Sequence, residues 1–246
     1  MTRIAFLHTA DLHVRTFDNL LADLAPDASP SHTVRAEWLA EARETGMTDD
    51  LRARIRALLN DQAGAADAVL CTCSTLGPVD DDMAASHPTV VRIDRPMMER
   101  AVGHPGTLLV AYCLDSTLVP TLELLGTIFS EQSKDSPVTP VSCADAWRFF
   151  DSGDMAGFAE AIARQVTAAV AAEADPACVI LAQASMAAAE PLLSGLEVPV
   201  YSSPRPAVEA VLEAAKRLRY SRYIAFDNGS GLWRQRTDWW FRRTLM

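Results

Sequence analysis

The chain has 246 residues, 49% of them hydrophobic, and carries 22 Lys and Arg against 32 Asp and Glu, a formal charge of −10. That length allows one large α/β unit or two lobes of about 100 residues each, with enough apolar material for a core. The acidic balance excludes bulk nucleic-acid binding, which needs a basic footprint on phosphates. No apolar run approaches the roughly 18 residues that cross a bilayer, and Ile4–Leu7 is too short for a secretory core. Five cysteines are an odd count, and Cys71, Cys113, Cys143 and Cys178 lie in or beside apolar segments. Free thiols in a reducing cytoplasm are the expectation, with no membrane and no nucleic-acid partner.

Short apolar runs alternate with helical patterns. Arg3–His8 reads as a buried strand, and Phe17, Leu20, Leu21 and Leu24 then repeat at helical spacing. Leu51, Ile55, Leu58 and Leu59 repeat it again, with Thr48 as a cap and Asp49 and Asp50 as first-turn acids. Ala68–Cys73 and Thr89–Ile93 are the next strands. The second half runs likewise. Thr107–Cys113 is a strand, and Thr117–Phe129 a helix that tolerates Pro120 in its first turn. Val138–Cys143 is a strand, Phe158, Ile162, Val166 and Val170 stripe a helix, and Cys178–Ala182 and Val198–Ser202 are strands. Val208, Val211, Leu212 and Ala215 mark a closing helix.

Such alternation predicts an α/β fold of parallel sheets covered by helices on both faces. Ala66–Thr75 and Ala174–Ser185 read as two versions of one helix–acid–strand–polar-turn unit. A duplication of this kind makes two pseudo-symmetric lobes, each a parallel sheet flanked by helices, with a cleft between them at the strands' carboxyl ends. The expected boundaries are 1–103 plus about 204–218 for the first lobe and 104–203 for the second. Residues 219–246 form a basic, aromatic extension. Residues 216–246 hold eight basic and two acidic side chains, a balance of +6, which leaves −16 on the rest. Trp233, Trp239, Trp240 and Phe241 belong to this stretch, which reads more simply as packed on the acidic body or on a subunit than as a nucleic-acid or membrane surface.

The chemistry concentrates at the strand ends. Cys73 ends an apolar run and is followed by Ser74 and Thr75, where turn N–H groups favour a thiolate. The same Cys equally fits a small core residue. Cys71 and Cys73 do not make a zinc site, because no second ligand pair lies at ligand spacing. No nucleotide-binding glycine loop and no hydrolase Ser elbow occurs. The histidines form no metal pair. His8 and His32 are candidates to support a Cys73 thiolate, and Asp80–Asp82 is a solvated turn or helix start.

Cys73-Ser74-Thr75, Ala182-Gln183-Ala184-Ser185-Met186-Ala187 and Val198-Pro199-Val200-Tyr201-Ser202-Ser203-Pro204 resemble, in order and placement, motifs of the aspartate/glutamate/hydantoin racemase superfamily. The resemblance spans roughly residues 1–218. It implies two α/β lobes, a site between them without cofactor or metal, and proton transfer at a carbon next to a carboxylate, with one Cys from each lobe in the racemases. Cys73 matches the first lobe's Cys. Gln183 stands where the second is usual, and an amide exchanges no proton near neutral pH. The expected substrate-binding residues are Thr9, Ser74, Thr75, Ser116, Thr117, Gln183, Ala184 and Ser185, although each hydroxyl also suits a turn or cap. The resemblance implies a racemase or isomerase using Cys73, with a malonate-type decarboxylase and a non-catalytic binder of a small carboxylate as alternatives. A homo-oligomer is compatible with the sequence, which leaves the oligomeric state open.

Overall fold

Strands covered by helices on both faces are written in Val, Leu, Ile, Ala and Cys, and the central strands here are of that kind. The computed structural model describes residues 1–230, with side chains as far as Tyr220. The first half runs β1 (Thr2–His8), α1 (Leu12–Leu24), β2 (Ala28–Val34), α2 (Ala36–Thr45), α3 (Asp49–Ala65), β3 (Ala68–Cys71), α4 (Gly77–Ala84), β4 (Val90–Arg92) and α5 (Arg95–Ala101). The second runs β5 (Thr107–Tyr112), α6 (Asp115–Gln132), β6 (Val138–Ser142), α7 (Trp147–Asp151), α8 (Met155–Ala172), β7 (Pro176–Leu181), β8 (Val200–Ser202) and α9 (Pro204–Ser230). Short 3-10 segments, Ala144–Ala146 and Ala184–Leu193, precede α7 and follow β7.

The strands form two four-stranded parallel sheets in one order, β2-β1-β3-β4 and β6-β5-β7-β8. The two similar sequence units thus supply β3 and β7, the same position in each sheet. Their acids precede equivalent strands: Asp67 Oδ2 accepts from Arg3 N at 2.9 Å, and the Asp175 carbonyl accepts from Thr107 N at 2.8 Å. Helices bury their apolar stripes against these sheets. Phe17 of α1 and Val208, Val211, Leu212 and Ala215 of α9 pack with Ile4, Phe6 and Leu70, so α9 returns to the first sheet after the second is complete. Phe158, Ile162 and Val166 of α8 cover the second sheet with Leu109, Val179 and Leu181.

Three expectations need correction. Strand β2 was absent from the apolar pattern because it is an edge strand of sequence ASPSHTV. Its Pro30 lies opposite Ile4, and Pro140 of edge strand β6 lies opposite Val110; an edge tolerates the missing N–H. Helix α6 begins at Asp115, two residues earlier than expected, which moves Pro120 beyond the first turn. The lost ladder bond is accompanied by a new partner, since the Pro120 carbonyl accepts from Arg92 Nη2 at 3.0 Å. The acid triplet is not simply solvated. Asp80 is buried in the first turn of α4, and burial pushes its carboxyl well above the usual range against the pull of Arg92. Asp81 instead pairs with Arg92 at 2.6 Å, and Asp82 with Arg56 at 3.2 Å.

All five cysteines are free and buried. Thr48 caps α3 through Leu51 N at 3.2 Å. No helix among the described residues is long and apolar enough to cross a membrane. The aromatic cluster from Trp233 onward lies outside the described residues.

Candidate active site

Strand β3 stops at Cys71, but Thr72 N still donates to the Leu7 carbonyl at 2.9 Å, so Cys73 begins where the sheet ends. A tight turn follows, with Leu76 N donating to the Cys73 carbonyl at 3.1 Å and Gly77 N to the Ser74 carbonyl at 3.2 Å. Pro78 then opens α4, where a missing N–H costs nothing. The Thr9 hydroxyl and the backbone N–H groups of Leu76 and Thr75 lie beside the Cys73 sulfur and favour its ionised form. Burial, the largest influence, raises its pKa, and these three donors oppose it without reversing the balance. At neutral pH the group rests as a thiol rather than the thiolate that the turn alone would favour.

Two stitches join the sheets beside it. The Ser74 hydroxyl donates to the Ala182 carbonyl at 2.9 Å, tying the end of β3 to the end of β7. Thr75 Oγ1 lies 3.3 Å from Thr117 Oγ1 and 3.5 Å from Ser116 Oγ. The neighbours of the first stitch are Cys73 and Gln183, the matching positions of the two lobes. Gln183 Oε1 accepts from both Cys113 N (2.7 Å) and Leu114 N (3.1 Å), the backbone between β5 and α6. Its oxygen is therefore structural, and only its Nε2 is left for a ligand.

These strand ends enclose a cavity of about 190 Å³. Thr9, Cys73, Ser74 and Thr75 reach its wall from the first sheet, and Thr117, Gln183, Ala184 and Ser185 from the second. Ser116 is not on the wall and stands behind Thr75. Cys113, Cys143 and Cys178 do not reach it either. Burial pushes Cys143 to about 11 and Cys178 to about 12. Two larger surface hollows, of about 400 and 410 Å³, hold no thiol.

His8 and His32 do not bond to Cys73. His8 Nδ1 meets Thr72 Oγ1 at 2.8 Å, His8 Nε2 meets His32 Nδ1 at 2.8 Å, and His32 Nε2 meets Asp18 at 2.9 Å. Burial, with His13 and His32 nearby, lowers His8 to about 3, so it brings no positive charge to the thiol.

Sequence reasoning missed His13, Trp147 and Phe150, which also line the cavity. His13 is 7% exposed, neither ring nitrogen has a partner, and burial lowers its pKa to about 4. The Trp147 indole N–H is likewise buried and unpaired. His13 falls four residues before Phe17 on the buried stripe of α1, a position that reads as core from spacing alone. Trp147 and Phe150 sit in a short helix whose apolar cluster carries no period long enough to orient it. Among the described residues no three His, Cys, Asp or Glu side chains gather as a metal site requires.

No family model and no curated protein matches the chain. Solved structures match its fold over nearly its whole length. Glutamate racemase from Francisella tularensis, in complex with D-glutamate, is 14% identical with a TM-score of 0.64, covering 93% of this chain and 82% of its own. Picrophilus torridus aspartate racemase is 11% identical with a TM-score of 0.62, covering 89% and 98%. A variant of arylmalonate decarboxylase, in a sulfate-associated form, is 16% identical with a TM-score of 0.50, covering 87% and 93%. The chain shares the two-lobed α/β fold of these solved racemases.

Proposed function

We propose that this chain catalyses cofactor-independent proton transfer at a carbon alpha to a carboxylate, with Cys73 as the acid–base group. The observation that carries this reading is the Cys73 thiol, on the wall of a cavity between two strand ends, with the Thr9 hydroxyl and two backbone N–H groups beside it. Taking a proton from such a carbon leaves an enediolate, and donors must already face the charge it develops. Thr117 and Ser185 bring hydroxyls and Gln183 brings its Nε2 to the same wall. The minor thiolate form of Cys73, favoured by the nearby Thr9 hydroxyl and Thr75 and Leu76 N–H groups, takes the alpha proton and becomes a thiol. The carbon then regains a proton either from that thiol, after exchange with solvent, on the same face, or from water on the opposite face, which inverts the centre and leaves the thiol to return its proton to solvent. The likeness to glutamate and aspartate racemases supports amino acids and related small acids as substrates, with racemisation or isomerisation as the outcome.

One feature favours a second reading, decarboxylation of a substituted malonate. The position facing Cys73 is an amide whose oxygen is spent on the backbone, so one thiol, resting protonated, is the proton carrier. In that reaction the bond to one carboxylate breaks, carbon dioxide leaves, and its electron pair passes into the enediolate of the other. Cys73 gives its proton to the carbon and recovers one from water.

Both readings are tested by NMR of amino acids, hydantoins and substituted malonates in deuterated water with the full chain. Deuterium should enter the alpha carbon, and Cys73→Ala should abolish it. Exchange that persists in Cys73→Ala overturns the assignment. A folded wild-type chain that a small acid stabilises thermally, but that exchanges no proton, is a binder and not an enzyme.

A further inference from the structure

We propose that His32 is a proton sensor at the edge of the first sheet. A proton taken up by the His32–Asp18 pair turns His8 from one neutral tautomer to the other and swings the Thr72 hydroxyl from His8 to the Leu7 carbonyl. An unbroken line of hydrogen bonds carries this switch, which stands apart from the chemistry assigned to Cys73.

The line runs inward from the surface. Asp18 Oδ1 of α1 meets His32 Nε2 of β2 at 2.9 Å. His32 Nδ1 meets His8 Nε2 of β1 at 2.8 Å, and His8 Nδ1 meets Thr72 Oγ1, just past β3, at 2.8 Å. Thr72 Oγ1 also lies 3.1 Å from the Leu7 carbonyl, which already accepts from Thr72 N at 2.9 Å. The hydroxyl hydrogen therefore has two acceptors in reach and serves one at a time. Parallel pairing assembles the line: His32 lies opposite Phe6, whose ring stacks on it at 4.9 Å, and Leu7 lies opposite Cys71, so the next pair brings Thr72 beside His8.

Counting protons leaves two arrangements. A carboxylate only accepts, so a proton lies between His32 Nε2 and Asp18 in both. With His32 neutral, its bare Nδ1 accepts from His8 Nε2–H, and the bare His8 Nδ1 accepts from the Thr72 hydroxyl. With one more proton, His32 donates from both nitrogens and His8 Nε2 accepts. His8 then carries its proton on Nδ1 and donates it to Thr72 Oγ1, so the hydroxyl turns to Leu7. Any mixture sets two bare nitrogens or two N–H groups against each other at 2.8 Å, which buried polar groups avoid. The net uptake is one proton from solvent: His32 gains it, while His8 exchanges its Nε2 proton for one on Nδ1.

His8 stays neutral in both arrangements, since burial lowers it to about 3. The proton enters at the outer end, because the Asp18 and His32 side chains are 44% and 15% exposed whereas His8 is wholly buried. The titratable groups against His32 are Asp18 from α1 and His8 from β1. His13 of α1 lies past His8, with ring centroids 6.3 Å apart, and α3 brings the uncharged Gln62 amide to the neighbouring Thr33. A protonation at the surface thus reaches the residue that precedes Cys73.

The test is NMR of the full chain with ¹⁵N-labelled histidine and ¹³C-labelled leucine carbonyls, titrated from about pH 8 to about pH 5, where histidines change charge. Above the transition His8 should carry its proton on Nε2 and below it on Nδ1, so that its ring nitrogens fully exchange bare and protonated resonances. The midpoint should be the one at which His32 becomes doubly protonated, and the Leu7 carbonyl should move with it on gaining the Thr72 hydroxyl. In folded His32→Phe the His8 nitrogens and the Leu7 carbonyl should stay fixed; the wild-type readouts decide if that variant does not fold. A His8 that keeps one tautomer while His32 titrates overturns the inference, as does one that becomes doubly protonated with it. A Leu7 carbonyl that does not respond, or a flip that survives in His32→Phe, overturns it equally. So does a chain in which His32 takes up no proton over this range or which unfolds first.

Discussion

Replacing Gln183 by Met keeps the length and apolar reach of the side chain and removes one atom's function, the oxygen that accepts from Cys113 N at 2.7 Å and Leu114 N at 3.1 Å. Both donors are buried backbone groups at the end of β5 and the start of α6, residues 3% and 6% exposed. Leaving a buried donor without a partner costs about 1–3 kcal/mol, so two of them set a ceiling of about 6 kcal/mol. The adjoining cavity admits water to one side of Gln183, which brings the expected loss to about 2–3 kcal/mol. Gln183→Glu keeps an acceptor in the same place and should lose less. Equilibrium urea unfolding of the full chain, with the slope unchanged between variants, reads the difference directly. A Met variant within about 0.5 kcal/mol of wild type, the range of an inconsequential surface change, would refute the structural role given to this amide.

Other consequences are open to measurement. Burial lowers His8 to about 3 and His13 to about 4, so the unfolded chain binds their protons first as pH falls. Their contribution is intact above about pH 6.5 and is lost as pH drops toward 4, at about 1.4 kcal/mol per pH unit for each histidine. In His13→Phe the slope of unfolding free energy against pH over that window should shrink by one proton; an unchanged slope contradicts the burial argument. Arg92, 4% exposed in its side chain, bonds Asp94 at 2.6 Å, Asp81 at 2.6 Å and the Pro120 carbonyl at 3.0 Å. Arg92→Met leaves Asp94 buried and unpaired and should cost about 3–5 kcal/mol in the same assay, whereas a loss below about 1 kcal/mol would contradict it. Iodoacetamide should label Cys73 ahead of the other four thiols, because it lines the cavity between the strand ends and they do not. The rate should climb with pH well past neutrality, as burial demands. Peptide mapping that finds Cys113 or Cys178 modified first would contradict that order.

The central strands were legible because an apolar run such as Ala68–Cys71 or Cys178–Leu181 has few alternatives when helical stripes flank it. Strand β2 was not, since an edge strand buries little and can be spelled with Ser, Pro and His. The likeness of Ala66–Thr75 to Ala174–Ser185 signalled the duplicated sheets, and the resemblance to the racemases set Cys73 and Gln183 as matching positions. What Gln183 does was hidden, because its partners lie 70 and 69 residues away and are backbone atoms, which leave no trace in residue types. Ser74 illustrates the same limit: a hydroxyl expected to face a ligand donates instead to the Ala182 carbonyl across the seam. His13 was invisible for a different reason, since a histidine on the buried stripe of an amphipathic helix looks the same whether its neighbours are core or cavity. Linear spacing carries periodicity, and the wall of a cleft assembled from both lobes has none.

The most direct test of the central claim follows deuterium incorporation at the alpha carbon of an accepted acid while Cys73 is progressively alkylated in the full-length chain. Activity should fall in proportion to the modified fraction of Cys73 and reach zero when modification is complete, with the chain still folded. Incorporation that survives complete alkylation would show that the proton moves through another group.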